Sequence, residues 1–447
     1  MTVSPVTSAN LSTLIREQGS RYFGVGINQA APLIGSGLLK KKKCSGEEWT
    51  ETIFPSASSG TGFVLDRGYL PVGTSGLQAK ARYMPTFAVA NIDMGRGASK
   101  LNLSVEQVTS QLDAEMKERA ADVGRNINRG LLAGGVSPNA AVAWSGTAAD
   151  STVVLDFLDV SMFRPGMAVD FIDTSAVLAY VVRVLRVTPA TVGSNTANVA
   201  GTVTFINDVV NPASGAVVAV GGPTITVATN DVFRLRGATA GFGAASTLQG
   251  AVPNSFDDMA GSGAAASFAG IDPTTAANGP YNWIGHSFAI AAAYSQEAML
   301  GFAMRLAAQS GVSPDVCVMA PLVAAAHAAS GDYHGAFSGV SAAISAGRPK
   351  SLSTTDKYGN VYEDSGLRVV GAKVMIDPNC PATSAVLFNS EFTKLGVWSE
   401  VGPEEEAGDA VLLDRTRFAS GVQFSGAYQL GTSKRSSVGV MSGITGL

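Results

Sequence analysis

The residues able to ligate a metal or act as nucleophiles are few in this 447-residue chain: three histidines (His286, His327, His334) and three cysteines (Cys44, Cys317, Cys380). A zinc site needs several such ligands at short spacings, and neither HExxH nor a CxxC pair occurs. The cysteines are far apart and odd in number, so no disulfide framework is expected, and a reducing cytoplasm is the simpler compartment. His327 sits in an Ala-rich helical stretch and reads as a packed or half-exposed histidine rather than a ligand. His334 lies near Asp332 in a turn-like segment without identifiable further ligands. Gly261-Ser262-Gly263-Ala264-Ala265-Ala266 fits G-x-G-x-x-A on paper, but it lacks the preceding strand and the βαβ unit that bring a helix N-terminus to a pyrophosphate. There is no GxxxxGK[ST] and no G-x-S-x-G. Asp257-Asp258 and Glu404-Glu405-Glu406 are adjacent acids on Pro/Gly-flanked loops. General acid–base work needs two carboxylates held apart, with pKa values driven in different directions, so these acids read as solvated surface. The chain is therefore expected to be no enzyme, with no catalytic, metal-ligating or cofactor-binding residues.

The remaining chemistry is electrostatic. Lys40-Lys41-Lys42-Lys43 is a single basic run, either a solvated loop or a contact for an anionic partner. The whole chain carries 31 basic and 35 acidic residues, a net charge of −4, which does not mark a dedicated nucleic-acid binder. Only 15% of residues are charged, against about 25% in an ordinary soluble protein. With 46% apolar residues the chain can bury a large core, and long charged disordered tails are excluded. The missing charge implies that part of the surface is covered by other chains. The N-terminus lacks the basic start and apolar core of a secretory signal. No run of about 18 apolar residues exists, so no membrane span is expected. The best stretch, Phe288 to Ala308, contains Gln296, Glu297 and Arg305.

These residues must be carried by elements, and at about 150 residues per domain the length allows roughly three packed units. Residues 1–47 read as an extended arm. Residues 48–98 read as a long β-hairpin, with Thr50, Thr52, Phe54, Ala81, Tyr83, Thr86, Phe87 and Val89 as strand formers and turn signals between them. It has too few large aliphatic residues to bury a core alone and must lie along something else. Ser104-Val105-Glu106-Gln107 is a capping-box pattern. After it, Val108, Leu112, Met116, Val123, Ile127 and Leu131 recur at spacings of three and four, so the pattern predicts one helix from 104 to about 133. Residues 150–237 lose helical periodicity and read as an inserted small β-barrel-like domain, with Met162–Val169 and Ala228–Leu235 as its first and last strands. Helices return over 238–350, including His286–Leu306 and a Pro-started helix Pro321–Ala329 after the strand Asp315–Met319. Strands follow at Arg368–Ile376, Ser384–Phe388 and Arg417–Leu430. The fold class is mixed α+β.

This order of parts resembles the major capsid proteins of tailed bacteriophages, the Hong Kong 97-type fold. Three segments carry the resemblance. Leu248-Gln249-Gly250, Asp257-Asp258, Phe268-Ala269-Gly270-Ile271-Asp272 and Trp283 are similar to the entry into that family's axial domain. Gly311 to Pro321 is similar to its strand followed by a Pro-started helix. Val374-Met375-Ile376-Asp377-Pro378 with Ala385-Val386-Leu387-Phe388-Asn389 is similar to its late strand pair. The match covers most of the chain outside 150–237.

The resemblance implies an N-terminal arm at 1–47, an extended hairpin loop at 48–98 that overlaps a neighbouring subunit, and a spine helix with peripheral domain at 99–149. It further implies an axial domain at 238–400 and return strands of the peripheral domain at 401–447, with 150–237 as an insertion. The implied function is a structural one: self-assembly through pentamers and hexamers into an icosahedral head shell around double-stranded DNA, made in the cytoplasm of a bacterial host. The hairpin begins too early to leave room for a fused scaffolding segment, so a separate scaffolding protein is expected, with a portal and possibly a cement protein. Lys80, Arg82, Tyr83 and Arg67 are the expected assembly contacts. Lys40, Lys41, Lys42 and Lys43, with Arg16 and Arg21, are candidates for nonspecific DNA contact at the inner wall. Some members crosslink a hairpin lysine to an asparagine. Lys80 with Asn379 or Asn389 is the pairing to test, against the simpler reading of Lys80 as an ordinary contact. A tail-tube, surface-layer or adhesion protein is a rival reading, and a soluble enzyme with a β-barrel domain is another.

Overall fold

The computed structural model of the chain describes residues 27 and 30–53, 79–95, 105–133, 135–136, 138–144, 152–157, 160, 162–173, 178–189, 200–206, 225–229, 232–235, 254–261, 268–273, 283–290, 292–330, 354–355, 361–362, 367–404, 412–414 and 419–444. The turn signals of the hairpin tip, Arg67, Arg16, Arg21, His334, the cap residue Ser104 and the G-x-G-x-x-A run from 262 onward lie outside them.

The predicted long helix is Val105–Leu132. Met116, Ala120, Val123, Ile127 and Leu131 are buried along one stripe, as their spacing requires, while Lys117 and Glu118 on the opposite face are exposed. At 1.5 Å per residue its 28 residues span about 42 Å.

The stripe packs beside a mixed sheet built from both ends of the chain. Thr86–Gly95 pairs antiparallel with Ala419–Thr432, which pairs antiparallel with Thr393–Pro403 and, near its start, with Leu412–Asp414. Lys40–Lys43 adds to Thr393–Pro403 as a parallel edge strand. The basic run is thus an ordered strand, where one reading had a solvated loop: backbone pairing with Lys394–Val397 holds it.

Among the described residues of the hairpin, Trp49–Ile53 and Ala79–Tyr83 pair with one another. Thr86, Phe87 and Val89 leave it for the sheet, because pairing with Ala419–Tyr428 gives that strand ten partner positions.

A second, six-stranded sheet runs in the order His286–Ala289, Gly439–Ser442, Ala385–Phe388, Val316–Met319, Ala372–Ile376, Arg368–Val369. Its central strands Val316–Met319 and Ala385–Phe388 are buried throughout, as strands covered on both faces must be. Two expectations change here. His286–Ala289 is a strand, and the helix begins only at Gln296, because Ser295 caps it by accepting from the Ala298 N–H at 3.4 Å. Arg368–Ile376 is two strands, folded at Val370 (φ 52°) and Gly371 (φ 86°). Gly439–Ser442, near the C-terminus, also belongs to this sheet.

Five strands between 152 and 235 form an antiparallel sheet in the order Val232–Leu235, Ala168–Asp173, Leu178–Pro189, Gly201–Ile206, Thr152–Phe157. Val232–Leu235 is the last of them in sequence, as expected, but the first is Thr152–Phe157, and Met162–Met167 is a turn leading into Ala168–Asp173. Among the described residues the two edges do not pair. This sheet has its own core around Phe233, whose ring lies 4.8 Å from Phe205, 4.9 Å from Phe171 and 5.4 Å from Phe157. The arm, hairpin base, long helix and both larger sheets share one other core. Among the described residues no helix is long and apolar enough to cross a membrane.

His327 is packed, as its Ala-rich surroundings predicted. The Tyr294 hydroxyl lies 2.5 Å from its Nδ1, and its Nε2 lies 3.3 Å from the Arg368 carbonyl. A neutral ring with its proton on Nε2 satisfies both. Burial holds its pKa below the ordinary value, against the Arg368 carbonyl, which favours the charged form. A histidine depressed in this way stabilises the fold above its unfolded pKa of about 6.5, and that contribution is lost as pH falls toward the folded value. The urea midpoint should therefore drop between about pH 7 and about pH 5, and less steeply in His327→Gln. Equal slopes would place the titration elsewhere.

Candidate assembly surface

The hairpin base sorts its residues by strand alternation. Thr50 faces Arg82 and Thr52 faces Lys80 across the pair, and all four are exposed. Trp49, Ile53, Ala81 and Tyr83 point inward and are buried. Lys80 and Arg82 are therefore presented on an outer face of the pair. Tyr83 is not. It lies inside the subunit, where its hydroxyl donates to the Thr432 carbonyl at 2.7 Å and accepts from the Thr432 N–H at 3.1 Å. Burial raises its pKa well above the ordinary tyrosine value. Tyr83 fastens the hairpin base to the sheet.

Trp49 is the second fastener. Its ring centroid lies 4.9 Å from that of Tyr83, tilted by 38°, and the ring lies on backbone that carries no side chains. A Cβ added at Gly431 would sit 2.5 Å from Trp49 Cζ3, and one at Gly396 would sit 2.8 Å from Cε3. The Trp49 indole N–H donates to Glu51 Oε1 at 2.8 Å, and Lys42 Nζ donates to the same oxygen at 2.5 Å. Lys42 also lies 4.7 Å from the Trp49 ring centroid. So Lys42 of the basic run is engaged within the chain. Lys40 and Lys43 are exposed, and Lys40 stands beside Lys394 in the parallel register.

Beyond the base, Met84, Phe87 and Val89 are exposed, Phe87 at 67% of its surface. Phe87 and Val89 share one face of the strand, at the positions of Ala427 and Ser425 on its neighbour.

Neither asparagine considered as a crosslink partner has an idle amide. Asn379 Nδ2 donates to the Ala30 carbonyl at 3.1 Å, and Asn389 Nδ2 donates to the Ser313 carbonyl at 2.9 Å. Asp257 and Asp258 are half-buried, where solvated surface was expected. Asp258 accepts from the Ser255 N–H at 3.0 Å while Ser255 Oγ accepts from the Asp258 N–H at 3.0 Å, a capping box for the helix Phe256–Ala260. The Ser-x-x-Asp spacing carried that signal. Among the described residues no group of three or more His, Cys, Asp or Glu side chains could hold a metal.

Sequence reasoning also missed Arg435, which is buried and donates through Nε to the Met259 carbonyl at 2.7 Å and through Nη1 to the Trp283 carbonyl at 3.3 Å. Burial lowers its pKa to about 10. Its carbonyl partners belong to remote segments, so no local motif announces it.

No family model matches the chain, and no curated protein matches it. Solved structures do. A chain of the capsid of a native GTA particle is 8% identical over 93% of this chain and 91% of its own, at a TM-score of 0.43. A chain of the cyanophage A-1(L) capsid is 14% identical over 93% of each, at 0.40. A virus-like particle chain from Pyrococcus furiosus is 8% identical over 95% of this chain and 98% of its own, at 0.36.

The Trp49 seat is testable. Gly431→Ala places a methyl group inside the indole contact distance and should cost about 1–3 kcal/mol, the usual penalty for overpacking. A thermal melt should fall accordingly. An unchanged melting temperature would mean that Trp49 is free to move aside.

Proposed function

We propose that this chain is a major capsid protein of the tailed-bacteriophage type, a subunit that self-assembles into an icosahedral shell around a double-stranded DNA genome. One observation carries the reading. Strands from both ends of the chain, Thr86–Gly95, Thr393–Pro403 and Ala419–Thr432, form one sheet beside a 28-residue helix, with the arm strand and the hairpin base fastened to it. That is the peripheral-domain layout implied by the resemblance. The six-stranded sheet then belongs to the axial domain, and residues 150–237 form an inserted, barrel-like domain.

In this reading the chain's principal partner is itself, as pentamers and hexamers. A separate scaffolding protein, a portal and packaged DNA complete the list. Lys80 and Arg82, with Arg67 further along the loop, contact the neighbouring copy. Lys40, Lys41 and Lys43 meet DNA phosphates without sequence preference, a bond that weakens with salt. The protein resides in the virion and is made in the host cytoplasm. The work is done by geometry: each contact is modest, and closed symmetry multiplies it.

Two experiments test this. Deleting residues 56–76 keeps both paired strands of the hairpin base, so a soluble folded subunit should remain, and electron microscopy should find no stable shells. Normal shells from the deletion would remove the hairpin from assembly. Denaturing electrophoresis of wild-type particles should give one band at 45.6 kDa, because both candidate amides are occupied. A ladder of covalent multimers would reinstate the Lys80 crosslink.

A further inference from the structure

The helix Gln296–Ser310 buries Met299, Phe302, Ala303 and Leu306 against its own subunit. Its outer face is unlike an ordinary solvated one. Leu300 and Met304 are exposed there at 44% and 58%, with Ala308 one turn further on. Residues four apart lie in rows on a helix surface, so Leu300, Met304 and Ala308 form one row. Glu297, Gly301 and Arg305 form the row beside it.

Gly301 stands at the middle. Glycine inside a helix costs about 1 kcal/mol relative to alanine. Two other glycines of the chain each admit a close neighbour: a Cβ at Gly124, in the long helix, would meet Ile27 Cα at 2.8 Å, and one at Gly439, in a strand, would meet Phe302 Cζ at 2.7 Å. At Gly301 a Cβ would meet nothing within 4 Å. No contact within the described chain calls for the missing side chain. The charges flanking it are symmetric: Glu297 lies four residues before Gly301 and Arg305 four residues after it. Arg305 is exposed and lies 5.4 Å from the Phe288 ring, which sets its direction.

We propose that this helix face docks on the same face of a second copy of the chain, the two helices running antiparallel and crossing at Gly301. The crossing brings Glu297 of each copy to Arg305 of the other, and Leu300 and Met304 of both copies close around the glycines. Interdigitation of the four-apart rows gives a crossing angle near about −50°. The contact is isologous, so it pairs copies two by two and joins neighbouring rings or free subunits without closing a ring itself. It extends the self-assembly reading but does not depend on it.

The test uses the full-length chain. Cys44, Cys317 and Cys380 are all buried, so an added surface cysteine reports alone. Gly301→Cys under mild oxidation should give a disulfide-linked species at twice the 45.6 kDa chain mass, while Gln309→Cys, exposed but off the crossing, should not. Absence of the Gly301→Cys dimer, or equal crosslinking by both, overturns the proposal. A charge exchange is the second arm. Glu297→Arg alone and Arg305→Glu alone should each weaken self-association about tenfold or more through like-charge pairs. Mixing the two single variants should restore it, since their charges match across an antiparallel pair. Failure of the mixture to recover shows that the face meets some other surface, and also overturns the proposal. If crosslinked pairs form in a protein that builds no shells, the pairing stands and the capsid reading falls.

Discussion

One and a half turns of the long helix hold the subunit together. Asn128 Nδ2 donates to Asp377 Oδ2 at 2.7 Å, and Arg129 donates to the Met162 carbonyl at 2.6 Å. One turn earlier, Gly124 lets the arm at Ile27 come within side-chain distance of the helix backbone. These residues face the six-stranded sheet, the inserted sheet and the arm. Asp377 is the demanding member. It is fully buried, and burial raises its pKa despite the bonds from Asn128 and Asn379 and the charge of Arg129 that favour the carboxylate. A buried carboxylate tolerates few arrangements, because each lost donor leaves a charge unsolvated at a cost of about 1–3 kcal/mol or more. Asn379 also donates to the Ala30 carbonyl, so arm, helix and sheet settle together or not at all.

The low charge of the chain acquires a structural meaning here. Junctions that many chains build from ion pairs are built here from carbonyls, amides and bare backbone. Arg435 spends its donors on the Met259 and Trp283 carbonyls, and Trp49 lies on two glycines. Such contacts need no counter-charge, but they need close approach, which the high glycine content supplies. The same economy leaves apolar side chains such as Phe87 and Met304 uncovered on a single copy. Interface cores are depleted in charge in just this way.

Much of the architecture was legible because local chemistry and tertiary demand agree. The helix Val105–Leu132 reads from its stripe, and Pro321–Ala329 from its proline. Val316–Met319 reads from an unbroken apolar run, as a doubly covered strand should. Where the sequence misled, a remote partner had decided the outcome. His286–Ala289 continues an apolar pattern that also suits a helix, and only Gly439–Ser442, some 150 residues away, makes it a strand. Lys40–Lys43 has poor strand propensity, yet backbone pairing with Lys394–Val397 overrides side-chain preference. Tyr83 was grouped with Lys80 and Arg82 as an expected contact residue, but strand alternation turns every second residue inward, and Tyr83 is buried where those two are exposed. The outward lysine and arginine were readable; which face was outward was not.

The arm strand has one more consequence. A sheet edge offers unpaired backbone groups to any passing strand, and a chain present in many copies at high local concentration is at risk of stacking edge to edge without limit. Four consecutive lysines make a poor template for such growth, since a second identical strand laid beside them would set like charges against one another. The residues first noticed as a possible grip on an anion also act as a stop. They discourage the chain from repeating itself through its backbone.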